Sequence, residues 1–461
     1  MTTDLHYLSL AELSRRLGSR EVSSVEVTRV MLDRIARVDG RLKSYATVTG
    51  EQALADAARA DGEIAAGKRR GPLHGVPVAV KDLCDTAGIA TAAGMAIHRD
   101  RVPARDATVV ARLRAGGAVI LGKLQMTEGA FGAHHPSIPA PLNPWNEAYW
   151  TGSSSSGSGA ATAAGLCFAS LGSDTGGSIR FPSTMCGLTG LKPSWGRVSR
   201  AGVFPLAPSL DHIGPMTRSA LDAALVLGVI AGLDPDDPTT SPAPVPDYAA
   251  AIDRGVRGLR IGVPTDLVGM DADSRAALDG AIATLAAAGG STVEVVLPPL
   301  DEATVQWLSL CGVEAALAHE KTYPARAAEY GPVLAGLLDA GRKLSALDLA
   351  RLELGRARLV GELNRLMATV DLLLMPVMGI ATLSIASAAS RTPDGVATRL
   401  RYTAPFDMSG HPTLTLPGGF TAHGMPVGFQ IVGRAFDETA ILAAGHAYQS
   451  ATDWHLRRPP V

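Results

Sequence analysis

Apolar positions along this chain follow two periods. After Ser23, the residues Val27, Val30, Met31, Ile35 and Val38 recur every three to four positions and mark one face of an amphipathic helix that Gly40 would end. Ser9-x-x-Glu12 and Ser23-x-x-Glu26 both match the capping box that opens a helix. Residues 51–66 predict an alanine-rich helix, so the N-terminal part, about 1–70, reads as mainly helical. At residues 75–81, GVPVAVK, the period shortens to two, as in a buried strand. A helix over 107–115, stopped by Gly116-Gly117, precedes a strand over 118–121. Further on, 221–233 and 273–288 predict helices, 259–263 and 292–296 strands, and 302–340 and 345–369 long helical stretches. The last strands are expected at 371–375, 413–416 and 427–432, before a closing helix over 436–450. Residues 380–396 read as an exposed loop, and the proline-rich 235–246 as a surface connection and candidate internal seam. Strand and helix alternate as in an α/β protein, and no repeat of 20–50 residues is found.

One stretch fits neither period. Residues 151–183, TGSSSSGSGAATAAGLCFASLGSDTGGSIRFPS, place an apolar run, 160–171, between two Gly/Ser-rich turns, and that run predicts a short buried helix. Gly176-Gly177 directly before Ser178 fits a turn whose N–H groups converge on one point, where an oxyanion can be held. A serine at the end of such a turn can attack a carbonyl carbon once a base removes its proton. A flexible linker would not be interrupted and followed by apolar sequence. Lys81 closes the valine-rich strand. It either snorkels to water or is buried, which disfavours its charged form and lowers a pKa that is ordinarily about 10.4.

Composition narrows the class. Of 461 residues, 46% are hydrophobic and only 19% charged, which supports a large core and excludes disorder. A net charge of −2 argues against nucleic acid as a partner. Cys84, Cys167, Cys186 and Cys311 lack metal-ligand or disulfide-framework spacing and suit a reducing cytoplasm. The N-terminal residues show no signal-peptide pattern, and no apolar run is long enough to span a membrane. A cytoplasmic monomer or homodimer without metal or cofactor is therefore expected.

The segments GSDTGGSIRFPS, GVPVAVKD, LDHIGPMTRS, APFDMSGHPTLTLP and PVGFQIVGRAFDE occur in an order that resembles the amidase signature family of hydrolases, from about Leu8 to about Ser450. The resemblance implies a single α/β domain over 1–461, with a large twisted mixed sheet covered by helices on both sides. It implies a Ser–cis-Ser–Lys triad in which Ser178 matches the nucleophile, Ser154 the cis-serine and Lys81 the lysine. It assigns the oxyanion hole to the N–H groups of Thr175, Gly176, Gly177 and Ser178, and supporting roles to Ser155, Asp174 and Arg180. The family's first turn carries glycine where this chain has Ser153 and Ser156. A requirement for φ > 0 there would strain both serines, and Ser153 and Ser155 remain alternatives to Ser154. The implied reaction is hydrolysis of small-molecule amides, with esters and carbamates as variants. An amidotransferase A-type subunit acting with partner chains is the alternative.

Other candidates are weaker. His212 could act as a base, but no acid is paired with it in sequence, and a structural role is expected. His134-His135 lacks a third metal ligand at recognisable spacing. The long loop 125–149 is rich in Pro, His and aromatic residues, and its part 126–141 is a candidate lid. Phe131, Ile138, Trp150, Phe204 and Leu206 form the expected substrate pocket. No Arg or Lys cluster occurs in these loops, so an apolar or aryl-bearing, uncharged substrate is expected.

Overall fold

The computed structural model describes residues 5–390 and 393–461. Its frame is an eleven-stranded mixed sheet built from β1 (Tyr45–Val48), β2 (Pro77–Lys81), β3 (Val119–Leu124), β4 (Ala169–Asp174), β5 (Thr189–Lys192), β6 (His212–Thr217), β7 (Arg260–Pro264), β8 (Ser291–Val295), β9 (Leu372–Pro376), β10 (Thr413–Phe420) and β11 (Pro426–Gly433). Their spatial order is β1-β3-β2-β4-β6-β5-β10-β11-β9-β7-β8. The sheet takes strands from both sides of the proline-rich 235–246 stretch, so that stretch joins parts of one single-domain α/β fold. Strand β2 runs parallel to both β3 and β4, whereas β4 pairs antiparallel with β6. Every residue of β2, β3, β4, β5, β6, β9 and β11 is buried. Strands covered on both faces need no apolar–polar alternation. This is why β4, β5 and β6, rich in Gly, Ser and Thr, carry no period-two signal.

Local chemistry accounts for the helix ends. Ser9 and Ser23 cap their helices by accepting from the amides of Glu12 and Glu26. The carboxylate of Glu12, however, turns to Arg15 and Arg16. Both halves of a capping box close only later, at Ser345 and Asp348, where helix Ala346–Thr369 begins. Helix Ser24–Leu42 runs past Gly40 and stops at Lys43, which is left-handed at φ 57°. There Asp39 collects the amides of Ser44 and Tyr45, satisfying donors that would otherwise be lost as the chain turns into β1.

Three expectations are corrected. Residues 160–171 do not form one helix. Helix Ser156–Ala163 ends before Gly165, which is left-handed at φ 69°, and the rest of the run becomes the central strand β4. A short apolar run is compatible with either state, and here pairing with β2 and β6 decides. Residues 380–396 are not simply a loop, because Ile385–Ala389 is helical and a second helix, Pro393–Leu400, overlaps the stretch; residues 391–392 lie outside the described set. Residues 302–340 split into helices Leu300–Ala318 and Pro332–Arg342 around a cis Tyr323–Pro324 bond.

Candidate active site

The site forms where β2 and β4 end side by side. Lys81, the last residue of β2, is fully buried, and its Nζ lies 2.6 Å from Ser154 Oγ, 2.8 Å from Ser155 Oγ and 2.8 Å from Ser173 Oγ. Burial lowers its pKa to about 7, against the opposing pull of the Asp174 charge. Ser173 belongs to β4, the strand beside β2, and escaped the sequence reading because β4 was not recognised as a strand.

The first Gly/Ser turn supplies the other two hydroxyls. The Ser153–Ser154 peptide is cis, and Gly152 is left-handed at φ 88°. A Cβ on Gly152 would come within 2.4 Å of the Pro182 backbone. Neither Ser153 nor Ser156 has positive φ, so the serines that replace glycines do not meet the left-handed backbone that would strain them. Ser156 simply starts the helix Ser156–Ala163. Ser155 N donates to Ser178 O at 3.3 Å, which fastens this turn to the second one. Ser178 is half-buried, and among the described residues its hydroxyl has no hydrogen-bond partner.

In the second turn each carbonyl is pinned. Thr175 O accepts from Trp307 Nε1 at 2.6 Å, Gly176 O from Thr403 Oγ1 at 2.6 Å, and Gly177 O from Phe181 N at 2.7 Å. A peptide unit is planar, so pinning the Thr175 carbonyl aims the Gly176 N–H the opposite way, and pinning the Gly177 carbonyl does the same for the Ser178 N–H. The Gly177 N–H is already engaged by Asp174 Oδ1 at 2.5 Å. Of the four expected oxyanion donors, this one is therefore occupied. Asp174 also accepts from Ile179 N at 2.9 Å and from Arg180 Nε and Nη2 at 3.0 and 2.9 Å. Burial raises its pKa, but the Arg180 charge and these hydrogen bonds outweigh that and hold it well below the usual carboxylate range. Arg180 in turn pairs with Asp407 and donates to Thr403 O at 2.9 Å.

Ser178 lines a cavity of about 80 Å³ together with Phe131, Trp150 and Leu206, three of the five expected pocket residues. Phe204 lies instead on a neighbouring cavity of about 290 Å³ that shares Ala130 and Leu206 with the first. Ile138 is half-buried and lines neither. The sequence reading missed Phe181, Trp307, Val396, Leu400 and Arg399, which complete the wall. Apart from Phe181, they come from helices outside the motifs, and Trp307 stacks over Gly176 so closely that a Cβ there would meet its ring at 2.4 Å. Only part of the long loop, Ala130 to Gly132, reaches the cavity.

Among the described residues none of the candidate histidines hydrogen-bonds to Lys81, Ser154 or Ser178. His212 is buried, with Nδ1 2.7 Å from Leu210 O and 3.5 Å from Asp407 Oδ1, an acid the sequence did not associate with it. Burial, reinforced by the Lys192 charge, holds it well below its ordinary pKa. His134 Nε2 meets Ser156 Oγ at 3.1 Å, and His135 Nδ1 meets Ser137 Oγ at 2.7 Å, so the two rings serve different partners. Among the described residues no group of His, Cys, Asp and Glu is arranged to hold a metal, and no helix is long and apolar enough to cross a membrane.

Known proteins are similar to this chain in sequence and fold. The family model described as Amidase matches residues 26–442. The chain is 52% identical over 457 residues to "Putative amidase AmiD" of Mycobacterium tuberculosis (strain ATCC 25618 / H37Rv), covering 98% of this chain and 96% of that one. It is 40% identical to the A-type subunit of glutamyl-tRNA(Gln) amidotransferase from Geobacter sp. (strain M21), covering 98% and 99%. Among solved structures, the native peptide amidase from Stenotrophomonas maltophilia superposes with a TM-score of 0.86 at 31% identity, covering 98% of both chains. With a family model spanning most of its length and relatives this similar end to end, the chain belongs to the amidase signature family.

Proposed function

We propose that this protein hydrolyses C–N bonds of small apolar or aryl amides through an acyl-enzyme on Ser178. The observation that carries the reading is the buried Lys81 Nζ held 2.6 Å from Ser154 Oγ, with its pKa lowered to about 7 by burial. Neutral Lys81 takes the Ser154 proton while Ser154 takes that of Ser178, and Ser178 Oγ attacks the carbonyl carbon. The oxyanion is received by the N–H groups of Gly176 and Ser178, with that of Thr175 beside them. When the tetrahedral species collapses, the C–N bond breaks, and the proton held by Lys81 returns through Ser154 to the leaving amine. Water then repeats the sequence on the acyl-enzyme, releasing the acid and restoring Ser178.

The cavity favours apolar groups. Trp150, Phe181, Leu206, Trp307 and Leu400 surround Ser178, and a neighbouring cavity of about 400 Å³ lined by Leu308, Leu337 and Leu344 shares Phe131 and Val396 with it. Each methylene buried there contributes about 0.8 kcal/mol, so kcat/KM rises from acetamide to longer or aromatic amides. Esters and carbamates fit the same chemistry. Ser178→Ala should abolish turnover and labelling by a serine-reactive phosphonate, and a label found by mass spectrometry on another serine refutes the assignment. The relative named as an amidotransferase component supports a second reading, in which the chain acts with partner chains. Activity of the purified chain alone on small amides decides against it.

A further inference from the structure

Arg399 is held by fewer partners than other arginines of the interior: Arg34, Arg218 and Arg356, which also pair with no carboxylate among the described residues, each donate two or more hydrogen bonds. Arg180 is paired with Asp174 and Asp407, Arg197 with Glu438, and the adjacent Arg401 with Asp301 at 2.6 Å. Arg399 is half-buried in the wall of the Ser178 cavity, and its hydrogen bond, from Nη1 to Ala388 O, is a long one at 3.4 Å. Among the described residues no carboxylate lies within ion-pair distance of it. Around it the cavity is walled mainly by Trp150, Phe181, Leu206, Trp307 and Leu400, and the polar side chains that share its lining, Ser153, Thr175 and Ser178, are neutral hydroxyls. A guanidinium held against apolar surface loses hydration, which is costly unless an anion replaces the water. Burial lowers its pKa, and among the described residues no neighbouring charge opposes the effect.

We propose that Arg399 anchors a carboxylate of the substrate, so that the preferred amide has an apolar frame ending in one carboxylate, a specificity that rests on the Ser178 reading above. A carboxylate suits this position because the planar guanidinium can grip both of its oxygens at once. The cation lies on the same wall as the nucleophile, so it selects the charge at one end of the molecule while the aromatic residues select its body. Sequence reading missed it because Arg399 sits on helix Pro393–Leu400, outside every motif and away from the long loop.

Two matched pairs test this and tell which side of the scissile bond carries the charge. Glutaric acid monoanilide against pentananilide places the carboxylate on the acyl side. 4-Acetamidobenzoate against acetanilide places it on the amine side. In the wild-type protein one pair should favour the carboxylate by about tenfold to a hundredfold in kcat/KM, the range of a charged hydrogen-bonded contact. In Arg399→Met that ratio should fall to about one. Equal rates within both pairs, or a preference that survives in Arg399→Met, overturn the proposal. If the wild type hydrolyses none of the four, the amide-hydrolase reading falls, and binding then decides the anchor by itself. Either carboxylated anilide should raise the Tm of Ser178→Ala but not of Ser178→Ala/Arg399→Met, and equal Tm shifts in the two proteins overturn the anchor.

Discussion

At the residue scale, the proposed chemistry depends on keeping one lysine neutral. Lys81 is buried among three hydroxyls, so its pKa falls to about 7 and the neutral form needed to accept a proton is present at physiological pH. The base is active when deprotonated, so kcat/KM on an uncharged anilide should rise as pH passes through about 7 and then level off. A flat profile from pH 6 to 8 would remove Lys81 from the rate equation. Lys81→Ala should lower amide hydrolysis about a thousandfold, within the range of general acid–base catalysis. Ester hydrolysis should lose less, since an alkoxide leaves with less protonation than an amine. Trp307 acts on the same turn from a distance, because its Nε1 fixes the peptide that carries the Gly176 N–H. Trp307→Phe keeps the ring and loses the donor. It should lower kcat by about three- to tenfold, the worth of one hydrogen bond, with KM little changed. A change confined to KM would mean that Trp307 serves only as a wall.

At the scale of elements, the site rests on close contact between backbones. Helix Ser156–Ala163 is rich in glycine, a poor helix former, yet it is buried throughout. A Cβ on Gly157 would lie 2.5 Å from the N and O of Gln125 and from Ser44 O, so the helix can sit against the β1 and β3 ends only without that side chain. Gly157→Ala should destabilise the protein by about 3 kcal/mol, as overpacking does, measured by urea denaturation. Gly62 and Gly280 supply the control. Both are exposed inside long helices with open space where a Cβ would go, so Gly62→Ala and Gly280→Ala should each stabilise by about 0.5–1 kcal/mol.

Across the whole molecule, the sheet carries more buried titratable groups than its apolar composition suggests. Lys81 and Lys192 are both fully buried, and burial lowers both to about 7. Their folded pKa lies below the unfolded value, so above pH 7 the unfolded chain binds more protons and stability rises with pH. Burial raises all four thiols, Cys84 to about 12, Cys167 to about 11 and Cys186 and Cys311 likewise upward, and together they outweigh the two lysines once unfolded thiols ionise above about pH 9. Tm should therefore increase from pH 7 to 8 and decline above about pH 9. Lys192→Met should flatten the rise, and a Tm that falls steadily from pH 7 to 8 would contradict the burial of these lysines as neutral groups.

What the sequence determined by itself was local. Capping serines, periodic apolar faces and the Gly-Gly-Ser turn depend on neighbours a few residues away, and Lys81, Ser154 and Ser155, named from their motifs, are brought together by the fold. Strand β4 was hidden because a fully buried strand of small residues carries no alternation, and with it went Ser173. Tertiary structure alone decided the rest. Trp307 reaches Thr175 across 132 positions and Thr403 reaches Gly176 across 227, so neither partner is visible in any local window. The same holds for Arg399, whose place in the Ser178 cavity comes from the packing of helix Pro393–Leu400. Short-range patterns record the free energy of turns and helix faces, while the cavity and the cation in its wall arise from where separate elements meet.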